Sequence, residues 1–173
     1  FVTNSGVENA LRTDRQPRTQ VTNSYLEGDV DIVAGRGAVV FDNTDFRVVN
    51  SRTQQAGYVF APATLSNIYF GFLATNSRFN AAGNGVAQLG RSLDLDANTN
   101  GQVVIRDSVI NEGFNVAKPW GDAAASGRAF AGNTGAVDDK GNVQRQLNDA
   151  RFNRAWEFNN RGVGSQVVVE PKK

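Results

Sequence analysis

The sequence predicts an all-β chain wound as a right-handed parallel β-helix, and three observations predict it. A six-residue pattern, apolar-polar-Asn/Asp-Ser/Thr-any-apolar, recurs along the chain. The runs between its copies are short, β-branched or aromatic, and bounded by Gly, Asn and Asp. None of them carries the helical period that a βαβ crossover needs. Strand, Asn-turn, strand at intervals of about 20–30 residues is what a solenoid requires, each coil laying one strand on the next. An antiparallel sandwich is the alternative that short strands also allow.

The pattern appears as Val21-Thr22-Asn23-Ser24-Tyr25-Leu26 and as Phe41-Asp42-Asn43-Thr44-Asp45-Phe46. Weaker copies are Ala74-Thr75-Asn76-Ser77-Arg78-Phe79 and Ile105-Arg106-Asp107-Ser108-Val109-Ile110. Asn and Asp side chains cap such bends by hydrogen-bonding to nearby backbone. Strands are expected at Val30 to Val33, Ala38 to Phe41, Tyr58 to Ala61, Ile68 to Leu73 and Gln102 to Ile105. The stretch from Gly121 to Gly141 reads as a surface loop. Val143, Leu147 and Ala150 have helical spacing, so a short helix is expected over 142–150, and Gln166 to Val169 reads as a last strand. No domain boundary is visible: residues 1–173 read as the C-terminal coils of one larger solenoid domain. Such coils would expose an uncapped stack and pack against missing N-terminal coils.

Composition narrows the chemistry. With 18 Lys+Arg against 17 Asp+Glu and a formal net charge of +1, charges of both signs are mixed along the chain, so nucleic acid is not an expected partner. His and Cys are absent. That excludes a Ser-His-Asp triad, a His-ligated zinc, a thiol nucleophile and any disulfide. Catalysis would fall to carboxylates, Arg, Lys, Tyr, Ser or an oxygen-bound cation. No cofactor is called for. The absence of Met, with Phe at position 1, predicts that the native start lies upstream. No signal peptide and no bilayer-length apolar run is present.

The first chemical candidate is Gly28-Asp29-Val30-Asp31-Ile32-Val33-Ala34-Gly35. Read as a strand, Val30 and Ile32 face inward while Asp29 and Asp31 share the outer face, about 6.5–7 Å apart at the backbone. Like charges at that spacing resist joint ionisation, which suits an acid beside a nucleophile or base. The bland reading is two solvated carboxylates. The second candidate is Leu89-Gly90-Arg91-Ser92-Leu93, whose guanidinium matters only if it reaches Asp31. The third, Asp96 to Asp107, fits a calcium-loop spacing, but a strand at Gln102 to Ile105 favours an Asx-rich turn, and no metal site is expected. Trp120, after Lys118-Pro119, is a candidate groove residue; Arg12, Arg15, Arg18 and Arg36 are candidates for attracting an acidic polysaccharide.

Three blocks carry a family resemblance. Gly28 to Gly35 resembles the pectin methylesterase signature Gly-x-Val-Asp-Phe-Ile-Phe-Gly. Leu89-Gly90-Arg91 resembles its Leu-Gly-Arg-Pro-Trp, and Trp156-Glu157-Phe158-Asn159-Asn160-Arg161-Gly162-Val163-Gly164 its closing Tyr-x-Glu-Tyr-x-Asn-x-Gly-Pro-Gly. Order and separation agree over most of the chain. It looks most like the enterobacterial branch of outer-membrane lipoproteins, some labelled acyl-CoA thioester hydrolases. The resemblance implies a β-helix, a cell-envelope location (outer membrane or periplasm of a Gram-negative bacterium) and a monomer.

It also implies roles. Asp31 matches the nucleophile that attacks a galacturonate methyl ester, and Arg91 the arginine that holds it charged. The family's acid, in a Gln-Asp-Thr motif, would precede Phe1. The family's groove aromatics are replaced here by Ile32, Ala34 and Leu93, and its Pro by Ser92, which removes stacking surface for a sugar ring. Asp29 stands where the family has Thr and is expected to tune Asp31 or to stand in for the acid. The expected activity is therefore ester hydrolysis with a pectin-like or remodelled ester substrate; the alternatives are a catalytically silent β-helix that binds polysaccharide or scaffolds, or a thioester or other ester hydrolase with a non-pectin substrate.

Overall fold

A computed structural model describes residues 2–3, 11–13, 18–50, 56–65, 68, 70–83, 85–96, 98–127 and 153–165. Every regular element among them is a strand, and all strand pairs are parallel. They form three five-stranded sheets. The first holds β1 (Val2–Thr3), β4 (Tyr25–Gly28), β7 (Asp45–Val48), β10 (Arg78–Ala81) and β13 (Val109–Ile110). The second holds β2 (Leu11–Thr13), β5 (Val33–Gly35), β8 (Tyr58–Pro62), β11 (Gln88–Arg91) and β14 (Trp120–Gly121). The third holds β3 (Arg18–Thr22), β6 (Ala38–Asp42), β9 (Phe72–Thr75), β12 (Gln102–Arg106) and β15 (Arg154–Phe158). Each strand pairs with the strand three places on, so three strands make one coil of a right-handed parallel β-helix.

The recurring sequence pattern is the corner from the third sheet to the first. Asn23, Asn43, Asn76, Asp107 and Asn159 each sit there with φ near +50°, a left-handed conformation that Asn and Asp tolerate better than other side-chain-bearing residues. Their side chains bridge successive coils: Asn43 donates to Asn23 at 2.7 Å, Asn76 to Asp42 at 2.9 Å, and Asn159 to Asp107 at 2.6 Å. The next position explains the Ser/Thr. The hydroxyl oxygen of Ser77 accepts the Thr44 N–H at 3.1 Å, and that of Ser108 accepts the Ser77 N–H at 3.1 Å. Each hydroxyl thus satisfies a buried backbone donor of the coil before it. Asn160 does the same for the Ser108 N–H at 3.0 Å. A fifth corner therefore lies at Phe158-Asn159-Asn160, with Asn in place of the hydroxyl residue.

Inside the coils the apolar residues stack in register. Leu26, Phe46, Phe79 and Ile110 form one row of the first sheet. Phe46 and Phe79 stack with centroids 4.8 Å apart. Phe60 of the second sheet touches Phe46 and Phe79 on one side and Phe41 and Phe72 of the third sheet on the other, at 5.1–6.0 Å. All five rings are fully or almost fully buried.

Three expected strands match closely, at Ala38–Asp42, Tyr58–Pro62 and Gln102–Arg106. Two were misplaced. The expected strand at Ile68 to Leu73 starts later, at Phe72, and Phe70 is exposed. The expected strand at Val30 to Val33 is largely a corner, with β5 beginning at Val33. Gly121, assigned to a loop, ends β14. The helix at 142–150 and the strand at Gln166 to Val169 lie outside the described residues.

Candidate active site

The corner from β4 to β5 sets the site. Asp31 adopts φ +52° there. The Tyr58 N–H donates to the Asp29 carbonyl at 3.1 Å, and the Ile32 N–H donates to the Tyr58 carbonyl at 3.2 Å, so one residue of the next coil brackets Asp31 on both sides. This close approach requires Gly57: a Cβ there would stand 2.7 Å from the Asp29 carbonyl oxygen and 2.2 Å from Val48 Cγ1. The strand reading of this stretch is corrected accordingly. Strict alternation fails where the backbone turns through the left-handed region, and Asp29 and Asp31 do not share an outer face. Asp29 is fully buried.

Arg91, the last residue of β11, comes to Asp31 from 60 positions away. Its Nε donates to Oδ1 and its Nη2 to Oδ2, each at 2.9 Å. The Asp31 side chain is 6% exposed and that of Arg91 23%. Two parallel charge-assisted bonds fix the carboxylate's orientation, and a facing guanidinium favours the ionised form that is nucleophilic. On its face, the guanidinium carbon lies 4.3 Å from the centroid of the Tyr58 ring.

The other expected site residues differ in where the structure places them. Ile32 is fully buried within the hydrophobic core, and Trp120 belongs to the same core at 5% exposure. The inward direction expected for Ile32 from strand alternation is the one observed, and Trp120 lines a small cavity together with Arg91 and Ser92. Ala34 is covered at 1% exposure, while Leu93 is half-buried. Ser92 is structural, its oxygen accepting the Gly101 N–H at 3.0 Å. Asp96 and Asp107 do not share a loop. Asp107 follows β12 in the corner ladder, and Asp96 accepts the Asn98 N–H and pairs with Arg36 at 3.3 Å. Among the described residues no three His, Cys, Asp or Glu side chains converge on one point.

Sequence reasoning missed two contributors. Tyr58 entered only as the first residue of an expected apolar strand, with no link to Arg91. Asp94 escaped notice. Burial pushes its carboxyl up, but the Ser126 hydroxyl and the N–H groups of Ser126 and Ala125 outweigh burial and hold it below the usual carboxylate range. Those bonds pin the turn after β14 beside the end of β11.

This geometry has relatives. The chain is 79% identical to the Escherichia coli K12 protein named "Putative acyl-CoA thioester hydrolase YbhC" over 173 residues, all of this chain and 40% of that protein. It is 41% identical to Pectinesterase B of Dickeya dadantii over 172 residues, 92% of this chain and 38% of that enzyme. Superposition on the structure of rice weevil pectin methyl esterase gives a TM-score of 0.74 at 33% identity, over 86% of this chain and 42% of the other. The chain thus resembles pectinesterases over nearly all of its own length. The crystal structure of Escherichia coli YbhC superposes on this segment with a TM-score of 0.77 at 80% identity, covering 88% of it and 38% of that chain. At 19% identity, pectin methylesterase from Yersinia enterocolitica shares the fold, with a TM-score of 0.73. No protein-family model matches. The segment spans about two fifths of the length of the curated relatives it matches.

Proposed function

We propose that this chain carries the nucleophile, and the cation that orients it, of a carboxylic ester hydrolase acting on galacturonate methyl esters. One observation carries the reading: Asp31, held in a left-handed corner, is gripped through both oxygens by Arg91. Asp31 would bond to the ester carbonyl carbon, and the bond from that carbon to the methoxy oxygen would break. The proton for the departing methanol, and the donors that stabilise the oxyanion, are assigned to parts of the protein outside this segment. Water would then cleave the acyl–Asp31 anhydride and restore the carboxylate. Throughout, Arg91 holds the carboxylate in one orientation.

A second reading keeps the residues and changes the ester. Ala34 and Leu93 stand where the family's groove carries aromatic rings, and a relative named as a thioester hydrolase shares 79% of its aligned residues with this chain. Loss of ring-stacking surface favours a smaller or less sugar-like acyl group. The deciding experiment compares methanol release from methylated pectin with thiol release from an acyl-CoA, using the intact protein and its Asp31→Asn variant. Turnover of one substrate class, lost in the variant, identifies the activity. Equal rates for both forms remove Asp31 from the reaction. A monomeric β-helix domain completed by N-terminal coils, in the cell envelope, belongs to the same proposal.

A further inference from the structure

Tyr58 touches both halves of the pair by different means. Its backbone brackets the Asp31 corner, through the Asp29 carbonyl at 3.1 Å and the Ile32 N–H at 3.2 Å. Its ring lies under the Arg91 guanidinium at 4.3 Å. The three strands involved, β5, β8 and β11, are consecutive in the second sheet, with Tyr58 on the middle one. Arg91 therefore reaches across Tyr58's coil to meet Asp31, and the ring is the floor along that path. Gly121 keeps the floor in place: a Cβ there would stand 2.6 Å from Tyr58 Cε1 and 3.1 Å from Gln88 Oε1. Gln88, which pairs with Tyr58 in register, is itself tied to the Lys118 carbonyl at 2.6 Å.

We propose that Tyr58 is a positioning residue for the ester hydrolysis assigned to this site, its ring fixing the plane of the Arg91 guanidinium while its backbone fixes the Asp31 corner. A guanidinium on a free stem samples many rotamers, whereas one lying on an aromatic face keeps its fork aimed at a single carboxylate. A ring without a hydroxyl serves equally well; an aliphatic side chain of similar volume does not. The inference rests on the proposed hydrolase reading for its catalytic consequence, but its structural content stands apart from turnover.

The test uses the intact protein and three variants, Tyr58→Phe, Tyr58→Leu and Gly121→Ala. Side-chain 15N relaxation of the Arg91 Nε–Hε group is measured first, with circular dichroism and thermal unfolding to verify the fold. Tyr58→Phe is expected to retain the wild-type order parameter, while Tyr58→Leu and Gly121→Ala lower it. Turnover is measured next on whichever ester the wild type hydrolyses. Tyr58→Leu should reduce kcat about tenfold with KM within about twofold of wild type, and Tyr58→Phe should restore it. A folded Tyr58→Leu protein with an unchanged Arg91 order parameter overturns the proposal, as does a Tyr58→Phe protein impaired as deeply as Tyr58→Leu. If the wild type hydrolyses no ester, the hydrolase reading fails, and the relaxation data still decide the role of Tyr58.

Discussion

Asp31 combines a conformation and a charge that are separable by substitution. Asn tolerates φ +52° as well as Asp does and has nearly the same shape, so Asp31→Asn should fold normally. It removes the nucleophilic charge, and kcat on the accepted ester is expected to fall by about a thousandfold or more. Arg91→Lys keeps the charge but loses the planar fork. A lysine ammonium makes one directed bond in place of two and lies less well on Tyr58, so a loss of about ten- to a hundredfold in kcat is expected. A Lys variant as active as wild type would mean that charge alone suffices. At this scale the sequence made Asp31 and Arg91 recognisable, because motif resemblance does not depend on knowing the local backbone. Alternation placed Ile32 inside correctly but put Asp29 on an outer face, because a two-residue period describes a strand and says nothing about a corner.

Among the elements, the corner ladder was the most legible feature and is the easiest to perturb. Only a few residue types accept its conformation while bridging coils, so Asn or Asp followed by Ser or Thr had to recur at recognisable intervals. The strands beside it were less legible: Arg18–Thr22, Tyr25–Gly28 and Arg78–Ala81 carry polar outer faces and too few apolar residues to stand out. Asn43→Ala places a Cβ-bearing residue without a local hydrogen bond at φ +49° and deletes the bond to Asn23. A loss of about 1.5–3 kcal/mol is expected in urea unfolding, with Asn43→Gly milder because glycine accepts the conformation. The ladder also predicts a pH dependence. The Asn159 amide, and then Arg106, hold the Asp107 carboxyl below the usual carboxylate range. A carboxylate with a folded pKa depressed below its unfolded value contributes stability above that unfolded value, near about 4, and loses it as pH falls through the folded value. Stability should therefore fall less steeply below about pH 4 in Asp107→Asn than in wild type. Parallel acid unfolding curves would separate Asp107 from that acid limb.

For the molecule as a whole, the separation of its three sheets is set by its aromatic interior, and the site depends on that separation. Asp31 and Arg91 lie on coils two apart, and Phe60 is buried on the strand between them, two residues beyond Tyr58. From there it touches rings of both other sheets. The backbone above is equally constrained, since a Cβ at Gly90 would come within 2.7 Å of the Phe60 carbonyl oxygen. Removing the Phe60 ring leaves a cavity with phenylalanines on several sides, which parallel strands tied to both neighbours cannot readily close. Phe60→Ala is accordingly expected to lose about 3–5 kcal/mol in denaturant unfolding, and Phe60→Leu only about 1 kcal/mol, because leucine refills most of the space. Combining Phe60→Leu with Phe79→Leu should depart from additivity by about 0.5–1.5 kcal/mol, since the two rings meet edge to face at 5.9 Å. A loss below about 1 kcal/mol for Phe60→Ala would show that the coils collapse into the space. In that case the Asp31–Arg91 distance would be set by the strand ladder alone, and not by the packing beneath it.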